Sequence, residues 1–575
     1  MVKLLRFLKP YDALVAVTFI LVFLQAVSEL YLPTLMSDIV DVGVVTGDIG
    51  YILRVGGLML LVALGGAVVA VLGSYCSSRV AMGLGRDLRQ AVFRRVQGFS
   101  LHEFDRIGTA TLITRTTNDI MQVQNVVIVA LRMMLFAPMM GIGSVIMALS
   151  KDPTLSLVIV VALPVLGATI GAVAVKAVPL FHAMQRKIDK LNRVVRDGLT
   201  GIRVIRAFNR VEYEKQRFVD ANRDLTDTAI RVNRLLGGLM PTLTLIMNLT
   251  AIAVVWFGGI RIDTGHMEVG DLMAFIQYVM HIMFSTMMLS MMFIMLPRAS
   301  ASAVRINEVL DVDPAIKDPA APRSPAQVRG QVEFRNVTFR YPGAERPALE
   351  SVSFTARPGE VTAIIGGTGA GKTTLVNLIP RFYDVEEGAV LVDGVDVREW
   401  RLADLRAGIG YVPQRAMLFT GTVADNIRFG KADASDDEVA RAAAIAQADG
   451  FIAEMKEGYN TEIAQGGTNV SGGQKQRLTI ARALVRRPAI YIFDDNFSAL
   501  DFRTDARLRA ALKPEIARST VFIVAQRVST VMDADRIIVL DQGRVAGIGT
   551  HRELLQSCEV YREIVASQLS EEELA

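Results

Sequence analysis

The sequence predicts an all-α membrane domain of six helices followed by an α/β domain. Three observations predict it. Hydrophobic residues make up 51% of the 575 residues, and mean hydropathy is +0.36, above what a water-soluble domain averages. Six apolar runs in the first half are each long enough to cross a bilayer core, which needs about 20 helical residues. Beyond a proline-rich stretch, short β-branched runs alternate with helical patterns, the texture of α/β architecture. Charged residues still reach 21%, so part of the chain sits in water.

The expected spans lie near 12–36, 52–76, 127–149, 154–180, 237–260 and 269–297. The N-terminal MVKLLRFLKPYDALVAVTFILVFLQAV imitates a signal peptide. It is long, lacks a small-residue cleavage site and is followed by more spans, so it reads as a retained first helix. The connections after the second and fourth spans are long and rich in Lys and Arg, and the others are short with little positive charge. The positive-inside tendency puts the long ones in the cytoplasm, and an even span count puts both termini there too. Leu88, Val92, Val96 and Phe99 recur every three to four residues, so helices are expected to project beyond the lipid. Turns are expected at Gly108 and at Gly198 with Gly201.

Glu29 and Arg132 are charges inside apolar runs, which are expensive and often functional. They also fit helix ends or a water-filled cavity without any substrate contact. The sixth span is rich in Met, which suits surfaces that accept varied apolar ligands but also serves as routine packing. The net charge of +4 is small for the length and offers no basic stripe for nucleic acid. Two cysteines, Cys76 and Cys558, cannot build a disulfide framework or a Cys-based metal site, and five scattered histidines suggest no metal cluster. VDPAIKDPAAPRSPAQVRG, with four prolines and no apolar period, marks a linker. The expected organisation is 1–311 for the membrane domain, 312–330 for the linker and 331–575 for the α/β domain.

Gly366-Gly367-Thr368-Gly369-Ala370-Gly371-Lys372-Thr373 fits G-x-x-x-x-G-K-[ST], follows the strand-like VTAII and opens a helical pattern at Thr374. Glycines let backbone N–H groups curl around phosphate oxygens. Lys372 is then expected to reach the β- and γ-phosphates and Thr373 to ligate Mg²⁺. The buried-strand run Ala489–Phe493 ends in Asp494, an acid placed to hold Mg²⁺.

Between these motifs stands Ser471-Gly472-Gly473-Gln474 after Val470, and here the chain resembles the ATP-binding cassette (ABC) ATPases. The resemblance covers the whole chain: six spans followed by one cassette look like a half-transporter of the exporter type, and Arg115-Thr116-Thr117-Asn118-Asp119 resembles a segment common in such membrane modules. It implies that Tyr341 stacks on adenine, that Gln414 senses the γ-phosphate, takes part in Mg²⁺ binding and contacts the membrane module, and that Ser498-Ala499-Leu500-Asp501 communicates across a dimer. It also implies ATP and Mg²⁺ as cofactors, a second half-transporter as partner, and nucleotides sandwiched between one phosphate loop and the opposite signature. The stretches 101–109 and 200–210 look like the helices that carry motion to the membrane.

Three positions depart from that pattern. Asp495 stands where the family has a water-activating Glu, a retreat of the carboxylate by ~1.5 Å, and a general base must lie within hydrogen-bond reach of its water. Gln526 stands at a His position and carries no positive charge. Gln465 stands where many exporters have Glu. An intact signature beside a weakened site implies an asymmetric pair: this chain lends its signature to a partner's competent site and holds ATP in a poorly hydrolysing one. A homodimer with two slow sites is the alternative. The expected activity is ATP-driven export of a hydrophobic or amphipathic small molecule, lipid or peptide across a cytoplasmic membrane. Import of a bulky iron chelate and a nucleotide-regulated channel or regulatory subunit remain open.

Overall fold

The computed structural model describes residues 2–325, 327–498 and 500–568, without the side chains of Val2, residues 290–294, Pro297 and Phe502. The chain divides into two compact units. One comprises residues 1–97 and 110–312, the other 98–109 and 313–575.

The first unit is helical. Its long helices are Asp12–Asp38, Ile49–Gln97, Ile120–Lys151, Leu157–Thr200, Val211–Asp263 and Val269–Leu310. Among the described residues six helices are long and apolar enough to cross a membrane, as expected. Several run well past the predicted apolar windows. The 53-residue helix Val211–Asp263 extends ~80 Å at 1.5 Å per residue, against a hydrocarbon core of ~30 Å. Hydropathy marks where lipid would lie, whereas the helix itself stops only where backbone hydrogen bonding stops.

The two connecting turns show that difference. Gly108 ends the Leu101–Ile107 helix with φ +80°, where a glycine is favoured. Gly198 does not turn the chain; it lies inside Leu157–Thr200, and Gly201 ends that helix. A lone glycine costs a helix about 1 kcal/mol, which the cooperative hydrogen bonds around it offset. The next helix, Ile202–Ala207, follows at once.

The segment Arg115–Asp119 forms a π-helical turn. Its Asp119 is buried and accepts hydrogen bonds from Ser302 Oγ at 2.9 Å and Arg305 Nε at 2.8 Å. Glu29 is half-buried and accepts from Gln25 Nε2 at 3.0 Å, and Arg132 Nη1 donates to Ser74 Oγ at 3.3 Å. Arg132 and Gln25 line a small cleft with Val22, Phe136 and Met288. The methionines of the sixth helix divide their roles: Met283 is buried beside Phe275 and Tyr278, while Met280 is exposed. The side chains of Met291 and Met292 lie outside the described residues.

The described residues of the second unit form twelve strands. In chain order they are β1 Val332–Phe339, β2 Leu349–Ala356, β3 Val361–Gly366, β4 Glu387–Val392, β5 Val395–Asp396, β6 Ile409–Val412, β7 Gly421–Thr422, β8 Glu462–Ile463, β9 Ile490–Asp494, β10 Thr520–Val524, β11 Arg536–Asp541 and β12 Arg544–Gly549. A six-stranded sheet has the order β12-β11-β3-β10-β9-β6, parallel except for β12, and an antiparallel sheet has the order β2-β1-β4-β5. All residues of β9 and β10 are buried, which is why both read as unbroken apolar runs. Their side chains alternate between two cores. Tyr491, Phe493, Val521 and Ile523 join the core beneath the helices, and Ile490, Ile492, Phe522 and Val524 join Phe334 and Val337 of the antiparallel sheet.

Candidate nucleotide site

Parallel register gathers the site. β10 pairs Val524 with Asp494 of β9 and with Ile364 of β3, and β6 pairs Val412 with Phe493. Four neighbouring strands therefore end at one edge of the sheet. The loops leaving them carry Gly366–Thr373, Gln414, Asp494 with Asp495, and Gln526. The carboxyl edge of a parallel sheet is where ligands of α/β proteins bind.

These loops line a cleft of about 360 Å³. It brings together Tyr341, Thr368, Gly369, Ala370, Gly371, Lys372, Thr373, Thr374, Gln414, Asp494, Asp495 and Gln526. Gly371 takes φ +95° and a Cβ there would stand 2.7 Å from the Ala348 carbonyl oxygen, so the loop's curl requires glycine. Lys372 Nζ donates to the carbonyls of Gly366 at 2.9 Å and Gly367 at 2.8 Å. Burial lowers the pKa of its ammonium, against the opposing pull of Asp495 and Asp494. Tyr341 packs edge-on against Phe339 and Tyr383, and its hydroxyl bonds to Thr374 Oγ1 at 2.9 Å.

Asp494 is only 1% exposed. Burial pushes its carboxyl up to about 6; the Thr373 hydroxyl and Lys372 pull down, and the neighbouring Asp495 pushes further up. Thr373 Oγ1 donates to Asp494 Oδ1 at 3.0 Å. A hydroxyl and a buried carboxylate side by side are hard oxygen donors of the kind Mg²⁺ takes, and the buried charge wants a cation. The residues present thus fit the metal that the phosphate loop implies.

Asp495 is arranged differently. It adopts φ +50°, with its N–H donating to Val524 O at 2.9 Å. Its Oδ2 accepts two side-chain amides, Gln526 Nε2 at 2.7 Å and Gln414 Nε2 at 3.2 Å. Ser498 Oγ donates to the Asp495 carbonyl at 3.0 Å.

Other expected site residues stand outside this cleft. Ser471 is exposed and caps the helix Gly472–Leu484 in a reciprocal capping box with Gln474, their bonds at 3.3 and 2.9 Å. Gly472 and Gly473 form its first turn. Asp501 caps Phe502–Ile516, accepting from Thr504 N at 2.9 Å. Gln465 is exposed in a 3₁₀ turn, and Ala499 lies outside the described residues.

Two supporting residues escaped the sequence reading. Asn496 is fully buried, and its Nδ2 donates to Pro413 O at 2.9 Å, tying the Gln414 loop to the end of β9. Arg482 on the signature helix donates to Asn426 O, Asn426 Oδ1 and Met417 O while its guanidinium lies over Phe419 and Phe429. Burial pulls its pKa down to about 10. Neither belongs to a motif, and each works through partners far away in the chain.

Known proteins resemble this chain along nearly its whole length. Residues 15–287 match the family described as the ABC transporter transmembrane region, and residues 349–498 match the one described as ABC transporter. An uncharacterized ABC transporter ATP-binding protein of Mycobacterium tuberculosis (strain CDC 1551 / Oshkosh) is 45% identical over 98% of this chain and 97% of its own length. An ATP-dependent lipid A-core flippase of Pseudomonas fluorescens (strain Pf0-1) is 34% identical over 89% of this chain and 85% of its own. The solved structure of a bacterial Atm1-family ABC exporter with ATP bound superposes with a TM-score of 0.81 at 30% identity, covering 97% of this chain and 99% of that one.

Proposed function

From the premise that this chain belongs to the ABC transporters, we propose that it is the weakly hydrolysing half of a heterodimeric exporter. The chain is a multi-pass membrane protein of ABC exporter type, with an ABC ATPase domain coupled to transport. The finer reading rests on one observation. The single oxygen Asp495 Oδ2 accepts both the Gln414 and the Gln526 amides. One oxygen of this carboxylate is taken up by two amide donors, and the group is one methylene shorter than glutamate, so it reaches less far towards a water it would have to activate. Gln526 offers an amide N–H but carries no charge and has no proton it can give up.

The loop, Lys372, Thr373 and Asp494 retain what nucleotide and Mg²⁺ binding needs, so ATP stays bound. Mg²⁺, when bound, would draw on Thr373 and Asp494, with Gln414 beside them, and would neutralise phosphate charge. Tyr341 supports the adenine. Ser471, Gly472, Gly473 and Gln474 stand away from this cleft and serve the partner's nucleotide, with Asp501 at the dimer seam. The membrane domain spans 1–311, the linker 312–330 and the nucleotide-binding domain 331–575, in a cytoplasmic membrane with both termini inside. The substrate is hydrophobic or amphipathic; the lipid A-core flippase relative supports a lipid-like cargo.

The test is composition. The tagged chain, extracted gently from its native membrane, should carry a second, different half-transporter one-to-one by intact mass. Two copies of this chain alone would sink the heterodimer.

A further inference from the structure

We propose that Gln568, near the C-terminus, is a positioning residue for the nucleotide cleft, acting through Gln526. The inference goes beyond the asymmetric-pair reading and rests on it only in placing Gln526 at the nucleotide.

Gln568 is exposed, yet both ends of its amide are engaged by one loop. Its Oε1 accepts the Val528 N–H at 2.8 Å, and its Nε2 donates to the Gln526 carbonyl at 2.8 Å. The side chain thus brackets residues 526–528 as a neighbouring strand would. On the near side that loop is pinned to the sheet, where Ala525 N donates to Ile364 O at 3.1 Å. On the far side Val528 is fully buried and begins a short helix. Between these anchors Gln568 satisfies two backbone groups of the segment that carries Gln526.

The frame holding Gln568 is firm. It follows the helix Glu559–Ala566, whose Tyr561 and Val565 are 0% and 1% exposed. The Tyr561 hydroxyl bonds to His551 Nδ1 at 2.7 Å. From this anchored helix a continuous run of contacts leads into the site: Gln568 to the backbone of 526–528, the Gln526 amide to Asp495 Oδ2 at 2.7 Å, and Asp495 Oδ2 to Gln414 at 3.2 Å. Moving the loop away would release Asp495 from one of its two amide donors and turn Gln526 out of the cleft. The side of the cleft that faces the terminal phosphate would then lose its shape, so the preference for ATP over ADP should fall.

The experiment uses the whole transporter in detergent or lipid. An 8-azido-adenine nucleotide photolabels this chain, and a non-hydrolysable ATP analogue and ADP compete for the label. Gln568→Ala removes two neutral hydrogen bonds and should reduce the ratio of the two competitors' affinities ~5-fold. Gln568→Glu keeps the acceptor for Val528 N–H, loses the donor and should give a smaller loss. Ser567→Ala, beside it on the chain, should change nothing. In a Gln526→Ala background Gln568→Ala should have no further effect, the mark of action through one residue. An unchanged ratio in Gln568→Ala, or an equal loss with and without Gln526, overturns the proposal. Because the analogue is not hydrolysed, fast hydrolysis at this site would sink the impaired-site reading and leave this comparison standing.

Discussion

The two walls of the nucleotide cleft are built on the same sheet edge but to different ends. One wall is the phosphate loop with Lys372, Thr373 and Asp494; it has the residue types that phosphate and Mg²⁺ require. The other wall is Asp495, Gln414 and Gln526, three side chains tied to each other through a single carboxylate oxygen. On the proposed reading, the difference separates holding a nucleotide from cleaving it. Binding needs fixed donors and a cation site, whereas cleavage needs a free base aimed at water.

The strongest test of the comparison puts Glu and His at positions 495 and 526 of the second wall. Asp495→Glu with Gln526→His should raise hydrolysis at this chain's own site by ~100-fold, within the range that a positioned general base contributes. Vanadate-dependent trapping of a photoreactive nucleotide on this chain reads it directly. Equal trapping in the unaltered protein would mean the second wall was never impaired. Damaging the first wall sharpens the contrast from the other side. Lys372→Ala removes a charged donor and should weaken ATP labelling of this chain ~10- to 100-fold, leaving the Asp495 cluster in place.

The smallest effect concerns the cost of keeping the first wall ready. Asp494 has its pKa raised by burial, so its charge opposes folding of the nucleotide-free protein. A carboxyl raised in the folded state from 3.8 to about 6 contributes stability below the unfolded pKa and loses it as pH rises through the folded one. Asp494→Asn should therefore stabilise nucleotide-free protein at pH 7 by about 1–3 kcal/mol, with the gain fading towards pH 4. Thermal unfolding across that pH window measures it. A gain that did not depend on pH would show that the charge is not the cause.

Much of the first wall was readable in sequence because its chemistry is local. A glycine-rich loop, its lysine and its threonine are consecutive, and an acid at the end of an apolar strand announces itself. The departures at 495 and 526 were readable for the same reason, as single residues in recognisable runs. How they act was not. The bond from Gln526 to Asp495 joins residues 31 apart, and that from Gln414 joins residues 81 apart, through loops whose meeting depends on strand order. Asn496, Arg482 and Gln568 were invisible for a related reason, since each bonds to backbone or aromatic partners that no spacing rule connects.

The sequence by itself determined the six apolar spans, the change to α/β texture after the prolines, and the glycine-rich loop between a strand and a helix, because hydrophobic transfer and backbone conformational preference act over a few neighbouring residues. Of the turn expected at Gly198 with Gly201, Gly201 does end the helix, but at Gly198 local preference yielded to the cooperativity of a 44-residue helix. Only the tertiary structure decided that β3, β10, β9 and β6 end together and that Asp495 Oδ2 is shared by two glutamines. Hydrogen bonds are short-ranged and directional, so which of them form is settled by where the packed core sets the strands.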